Sequence, residues 1–271
     1  MTYISDFKSS AIALWKQATS VSTGTGSVDT SLSTQLGQRF VTNDGREVVL
    51  VSNGATALAG GVLVQAPAIV AGHQTLAMTV PSTAPATAGT YLVSVTNGST
   101  VINENYYAGG YAIVKDGTGI GQTLRIKSHA GAAANAQCVL TLEDAIVTTL
   151  DATSVVNLIA NPYSNVIIAP TTATGNVVGV SLYPFAASTA PTYNATSGAL
   201  ATAGVAQYGF IQTKGIVSCL SDSNTATVGL GLMRSTTTAG TVAVRTATGA
   251  DVGIALQTTI SAKAGAIQVD L

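Results

Sequence analysis

Charge is what this sequence most lacks. Only 8% of its 271 residues are Asp, Glu, Lys or Arg, against about 25% in an average globular domain. The formal net charge of −1 gives no long-range field to steer a polyanion or to hold the chain on an anionic bilayer. Basic residues are scattered, and the nearest thing to a cluster is Arg125 with Lys127. Nucleic-acid readers need a basic stripe with stacking aromatics, so no direct nucleic-acid contact is expected. Apolar runs long enough to span a bilayer are also missing, and so is a membrane partner. The N-terminus, Met-Thr-Tyr-Ile-Ser-Asp, carries no basic region and no apolar core, so it is not read as a secretory signal.

Cysteine and histidine are as scarce as charge. Cys138 and Cys219 each sit in an apolar run without a CxxC spacing. They read as buried thiols of a reducing compartment, with a disulfide between them left open. His73 and His129 are the two histidines, and neither has a second ligand at metal spacing. A Ser-His-Asp triad would have to use one of them, yet no serine stands in a Gly-x-Ser-x-Gly turn. No cofactor, metal or catalytic set is therefore expected, and the chain does not read as an enzyme.

What is present favours sheet. Threonine, valine, serine, alanine and glycine fill the space left by charge, and Thr and Val suit pleated, half-buried surfaces. Short runs recur between turn signals: "EVVLV", "GVLVQ", "TLAMTV", "TYLVSV", "YAIV", "TLRIK", "CVLTL", "VVNLI", "NVIIA" and "VVGVSL". Asn53-Gly54, Asn97-Gly98, Asp44-Gly45 and Asp116-Gly117 punctuate them, dipeptides suited to hairpin turns with positive φ. Short strands without helical periods between them predict an antiparallel sandwich or barrel over residues 39–190. "TLEDAIVTTLDATS" has room for one helical turn.

The flanks read differently. Residues 1–38 predict a helical arm and its tether: Ile4, Phe7, Ala11, Leu14, Trp15 and Ala18 fall at helical spacing, and a Ser/Thr/Gly-rich stretch, Thr19 to Gln38, follows. Phe7, Leu14 and Trp15 are the candidate contact residues of a docking arm; the bland alternative is a helix packed on its own domain. Residues 191–271 predict a linker, roughly Thr189 to Gly204, and then a small C-terminal β domain. There "AQYGFIQTKGIVSCLS" reads as two strands joined at Lys214-Gly215, and three further runs complete a small barrel of about five strands.

One stretch resembles chemistry. "YYAGGYAIVKDGTGIGQTLRIKSH", Tyr106 to His129, holds glycines at 117, 119 and 121 with a lysine, an arginine and a histidine. A phosphate cradle needs a strand before the loop and a helix N-terminus after it. Here Thr123, Arg125 and Lys127 alternate with Leu124 and Ile126, the period of a strand, and the Gly-Lys-Ser/Thr ending is absent. The loop is expected to be a turn between two strands. Glu143-Asp144 is the one adjacent acid pair, and neighbours on a strand point to opposite faces.

Two regions together resemble a known class. "NGATALAGGVLVQAPA", the Tyr106–His129 stretch and "LDATSVVNLIANPYSNVII" resemble virion proteins of tailed bacteriophages. The closing segment resembles the end of small head-decoration, or cement, proteins, through Gly253, Ala255, Leu256, Ala264, Gly265, Val269 and Leu271. The stretches span roughly half the chain, which is larger than the smallest members of that class. The resemblance implies a structural virion protein, made in the host cytoplasm, that binds the capsid exterior. It implies the major capsid protein as partner, self-association as a homotrimer, and cementing of neighbouring capsomers in the expanded head. The alternative is a phage tail or surface β protein binding a host receptor or glycan, with Tyr106, Tyr107, Tyr111, Tyr163 and Tyr183 as available aromatics.

Overall fold

The structure is a computed structural model that describes residues 35–74, 78–222, 226–246, 251–258 and 262–271. Phe7, Leu14, Trp15 and the expected helical arm lie outside the described residues. The chain forms two compact units. Strands β1 (Arg39–Val41), β2 (Glu47–Ser52) and β3 (Leu63–Gln65) open the first unit. The chain then enters the second unit with β4 (Leu92–Thr96), β5 (Tyr111–Asp116), β6 (Thr123–His129), β7 (Gln137–Leu142) and β8 (Val155–Ile159). It returns to the first unit for β9 (Ile167–Ile168) and β10 (Val177–Ser181), and visits the second once more for β11 (Thr192–Tyr193) and β12 (Leu200–Thr202). The first unit is completed by β13 (Tyr208–Leu220), β14 (Gly231–Arg234), β15 (Val242–Val244), β16 (Asp251–Ala255) and β17 (Ala264–Asp270). Among the described residues the helical content is a single 3-10 turn, Ala71–His73; "TLEDAIVTTLDATS" forms bends, not a helical turn.

The first unit is a ten-stranded antiparallel sheet in the order β15-β14-β16-β17-β13-β10-β3-β9, with β2 also on β13 and β1 on β2. It curls into a half-barrel. Gly240, just before β15, donates to Ala169 O (2.8 Å) and accepts from Leu63 N (2.7 Å), which brings one end of the strand order back to the other. Leu63, Val180, Val217, Cys219, Leu232, Val242, Val252, Ile267 and Val269 form one apolar cluster of this unit. Val49, Val51, Val64, Val178, Phe185 and Ile211 form another. Strands covered on both faces read as continuous apolar runs, as "EVVLV" does.

Several expectations change here. The Lys214-Gly215 pair is not a turn: β13 runs unbroken through it. Gly215 takes φ +92° beside a register shift between Gln212 and Lys214, so the positive φ serves a bulge. The first half of β13, Tyr208 to Lys214, pairs with β2, and the second half, Lys214 to Leu220, pairs with β17. The residues expected to form a separate small barrel thus continue the sheet that β2 and β3 begin. A boundary between the units does fall at 190/191, but residues 191–204 join the second unit and 205–271 return to the first. Nor is Thr189–Gly204 simply a linker, since it contains the β11–β12 hairpin. Leu200 N of that hairpin donates to Glu104 Oε2 at 3.0 Å within the second unit.

The second unit is a five-stranded antiparallel sheet, β4-β7-β6-β5-β8. Its inner face carries Val93, Val95, Ala112, Val114, Leu124, Ile126, Leu140, Leu142, Val156 and Leu158, all buried. Met78, Val80, Ile102, Tyr107, Ile146 and Leu150 from the connections close this core. Alternation sends every second residue of these strands outward, which is the pattern read in "TLRIK".

Candidate functional site

The glycine-rich stretch resolves as a hairpin. β5 and β6 pair antiparallel, and Gly117, Gly119 and Gly121 all adopt positive φ. A Cβ on Gly117 would stand 1.9 Å from Thr153 O, so only glycine allows that approach. Asp116 accepts from Gly117 N at 2.8 Å and caps its own turn. No helix follows the loop, so it has no dipole to offer a phosphate.

His129 does not join Lys127 and Arg125 in an anion patch. It is buried beneath the sheet and forms part of a closed polar network. Tyr107 N donates to His129 Nε2 at 3.0 Å, which leaves the proton on Nδ1 for Ala130 O at 2.9 Å. His73 Nε2 donates to Thr100 O at 3.2 Å, and the Tyr107 hydroxyl therefore donates to His73 Nδ1, 2.6 Å away. Both imidazoles are neutral and use both ring nitrogens. Burial lowers the pKa of each and raises that of the Tyr107 phenol. The network fixes Tyr107 in the core and offers nothing to a substrate.

The thiols and several carboxylates are held by burial or by partners. Cys138 and Cys219 are free and buried, with burial pushing their thiols up to about 11 and about 12 respectively. Thiols held protonated are poor nucleophiles. Glu143 pairs with Arg125 at 3.0 Å and Asp251 with Arg245 at 3.0 Å. Asp151 accepts from the hydroxyls of Thr153 and Thr118, which lower its pKa. Among the described residues no three His, Cys, Asp or Glu converge on a metal position. The tyrosines divide between the units: Tyr107 is buried, Tyr106 stacks edge-on against it, and Tyr183 packs on Phe185. Tyr111 stands outward on β5.

Two features remain open to a partner. The first is apolar. On the outer face of the first unit, Ile216 and Ile254 flank Gln268 in register, 58% and 49% exposed. On the outer face of the second unit, Tyr111 pairs with Ile159, and Leu92 and Val139 stand exposed on neighbouring β4 and β7. The second is a notch of about 330 Å³ beside β13, lined by Gly60, Gly61, Ser181, Leu182, Gln212 and Ser218, among others. Gln212 is fully buried there. Its Nε2 donates to Lys214 O at 3.0 Å and Ile216 O at 2.9 Å, while its Oε1 is buried with no hydrogen-bond partner. This position was passed over in the sequence reading, and its available signals are a glutamine inside the apolar run "YGFIQTKG" and a Gly-Gly pair before "VLVQ". A further cavity of about 510 Å³ is lined by Arg234 and Asn176 among others. Its wall includes Thr246 and Asp251, which flank residues outside the described set.

Compared with known proteins, the chain matches no family model, no curated protein and no solved structure.

Proposed function

We propose that this chain is a structural virion protein that binds the outer surface of a phage head and holds neighbouring capsomers together. The observation that carries the reading is the outward apolar side chains on both sheets, Ile216 with Ile254 and Tyr111 with Ile159, in a chain with so little charge. Exposed apolar residues grouped on one sheet face suit an association surface, and depletion of charge is the mark of interface cores. The choice of a head shell as partner rests on the resemblance of the 106–129 and C-terminal segments to decoration proteins. Repetition over a lattice multiplies modest contacts into lasting attachment, and such a role calls for no catalytic group.

Co-sedimentation of the purified protein with expanded head shells of its phage tests this. Saturable binding at a fixed ratio to the capsid subunit is the expected result, and an absence of binding overturns it. Phe7, Leu14 and Trp15 are the proposed arm contacts. Trp15→Ala is expected to weaken shell binding with the unfolding transition unchanged; normal binding by that variant removes the arm from the proposal.

A further inference from the structure

Four of the five arginines of the chain are held by an acid. Arg39 meets Glu47, Arg46 meets Asp44, Arg125 meets Glu143 and Arg245 meets Asp251, at distances of 2.7 to 3.4 Å. Arg234 is the exception. Among the described residues no Asp, Glu or chain-terminal carboxylate oxygen lies within 4.0 Å of it. Its side chain is half-buried, and its Nε is buried with no hydrogen-bond partner. Nη1 and Nη2, unlike Nε, are not shut off from solvent. A guanidinium drawn partly out of water without an anion costs stability, so its position calls for a counter-ion.

Arg234 ends β14 opposite Val242 and lines the cavity of about 510 Å³ in the first unit. Small-molecule sites run from about 300 to 1,000 Å³. Part of the lining is apolar: Val252 belongs to the core cluster, Val177 packs against that cluster, and the buried Met233 accepts from Thr246 Oγ1 at 3.5 Å. Asn176 and Thr236 are exposed at the wall. Asp251 lines the cavity too, already engaged by Arg245 at 3.0 Å. Two arginines and one aspartate leave a single positive charge over, and it is that of Arg234.

We propose that this cavity binds a small monocarboxylic acid, with its carboxylate on Arg234 and its apolar body along Val177, Met233 and Val252. Nη1 and Nη2 donate the paired N–H bonds that a planar guanidinium offers a carboxylate. One negative charge matches the single unbalanced cation. The second charge of a phosphate would stand near the Asp251 carboxylate with nothing to offset it. The apolar lining favours a free acid with a hydrocarbon body over an acidic side chain, whose carboxylate is carried on a polar backbone. The site stands apart from head binding and does not depend on it.

The test is a nuclear magnetic resonance titration of the full, nitrogen-15-labelled chain. Each arginine contributes one Nε–Hε signal, and Arg234→Lys identifies the one that belongs to Arg234. The probes are butanoate, its uncharged counterpart butanamide, inorganic phosphate, and N-acetylglutamate N-methylamide as a carboxylate carried on polypeptide. The expected result is a saturable shift of the Arg234 signal and of the Val252 backbone amide with butanoate. Butanamide and phosphate should bind more weakly by about tenfold or more, the scale of a lost charge-assisted bond pair. Arg234→Gln should lose the Val252 shift by the same factor. Arg234→Lys keeps the charge without the fork, so weakened binding by it carries the test if the glutamine variant fails to fold. Equal shifts of all five arginine signals, or undiminished binding by either variant, overturn the site. Phosphate binding as tight as that of butanoate overturns the carboxylate as ligand. Tighter binding of the blocked glutamate overturns the free acid in favour of a polypeptide side chain.

Discussion

The two sheets have the same strand geometry and different interiors. The ten-stranded sheet is apolar in its clusters, with Leu63, Val180, Leu232 and Ile267 at its centre. The five-stranded sheet buries an imidazole–phenol–imidazole network, His73, Tyr107 and His129, within its core. Both histidines of the chain therefore belong to one unit. The lesson is that the second unit's interior depends on the protonation of two imidazoles, while the first buries polar groups such as Asp222 and Gln212 but no histidine. A buried network specifies a unique arrangement only while every member stays satisfied.

The sharpest way to break this comparison is to damage one interior and watch the other. Leu63→Ala opens a cavity in the first unit and is expected to cost about 2–5 kcal/mol there. Hydrogen exchange should accelerate in β3, β10 and β13 and stay unchanged in β4 to β8. Equal acceleration in both sets would end the distinction. Tyr107→Phe removes the hydroxyl that donates to His73 and strands a buried ring nitrogen. The expected loss is about 1–3 kcal/mol, confined to the second unit in the same exchange measurement.

Acid provides a milder probe. Burial lowers the pKa of His73 and His129 in the folded state, so the unfolded chain takes up protons first as pH falls. Stability from these groups is complete above the ordinary histidine value of about 6.5. It declines as pH falls below that value, until the folded pKa is passed. Denaturant unfolding followed by exchange between pH 7 and 5 should show β4 to β8 weakening while β13 to β17 hold. The smallest effect belongs to a surface pair: Glu143→Gln removes the Arg125–Glu143 contact, whose partners are 42% and 43% exposed. Its cost should stay below about 1 kcal/mol, and a larger change in the melting midpoint would mean the pair is better placed than its exposure implies.

Much of the strand content could be read from residues alone, because period-two alternation is a local property. "YAIV", "TLRIK", "CVLTL" and "VVNLI" all appear as β5 to β8, and the three glycines before "TLRIK" mark the hairpin that joins two of them. Partner choice was not local. β2 finds β13 across a long stretch of chain, and nothing near "EVVLV" announces that. Gly215 looked like a turn because a positive-φ glycine serves turns and bulges alike. The Thr189–Gly204 stretch looked like a linker because two very short strands leave almost no pattern. The histidine network was illegible for another reason: His73 and Tyr107 are far apart in sequence, and burial of a lone polar residue has no period. Phe7, Leu14 and Trp15, the contact residues read from helical spacing, lie outside the described residues.

The pairing of β2 with β13 also sets a timetable. The ribosome releases β2 roughly 150 residues before its partner, an interval of roughly 8–30 s at about 5–20 residues per second. For most of that wait one of the most apolar strands of the protein has β1 as its strand partner, and Tyr163 and Val166 reach Ser52 only late in the interval. The second unit's β4 to β8 are synthesised during the same interval, so every strand of its main sheet is available to pair before the first unit can close. Assembly of this chain is ordered from the inserted unit outward, and the last strands made are the ones that finish what the first ones began.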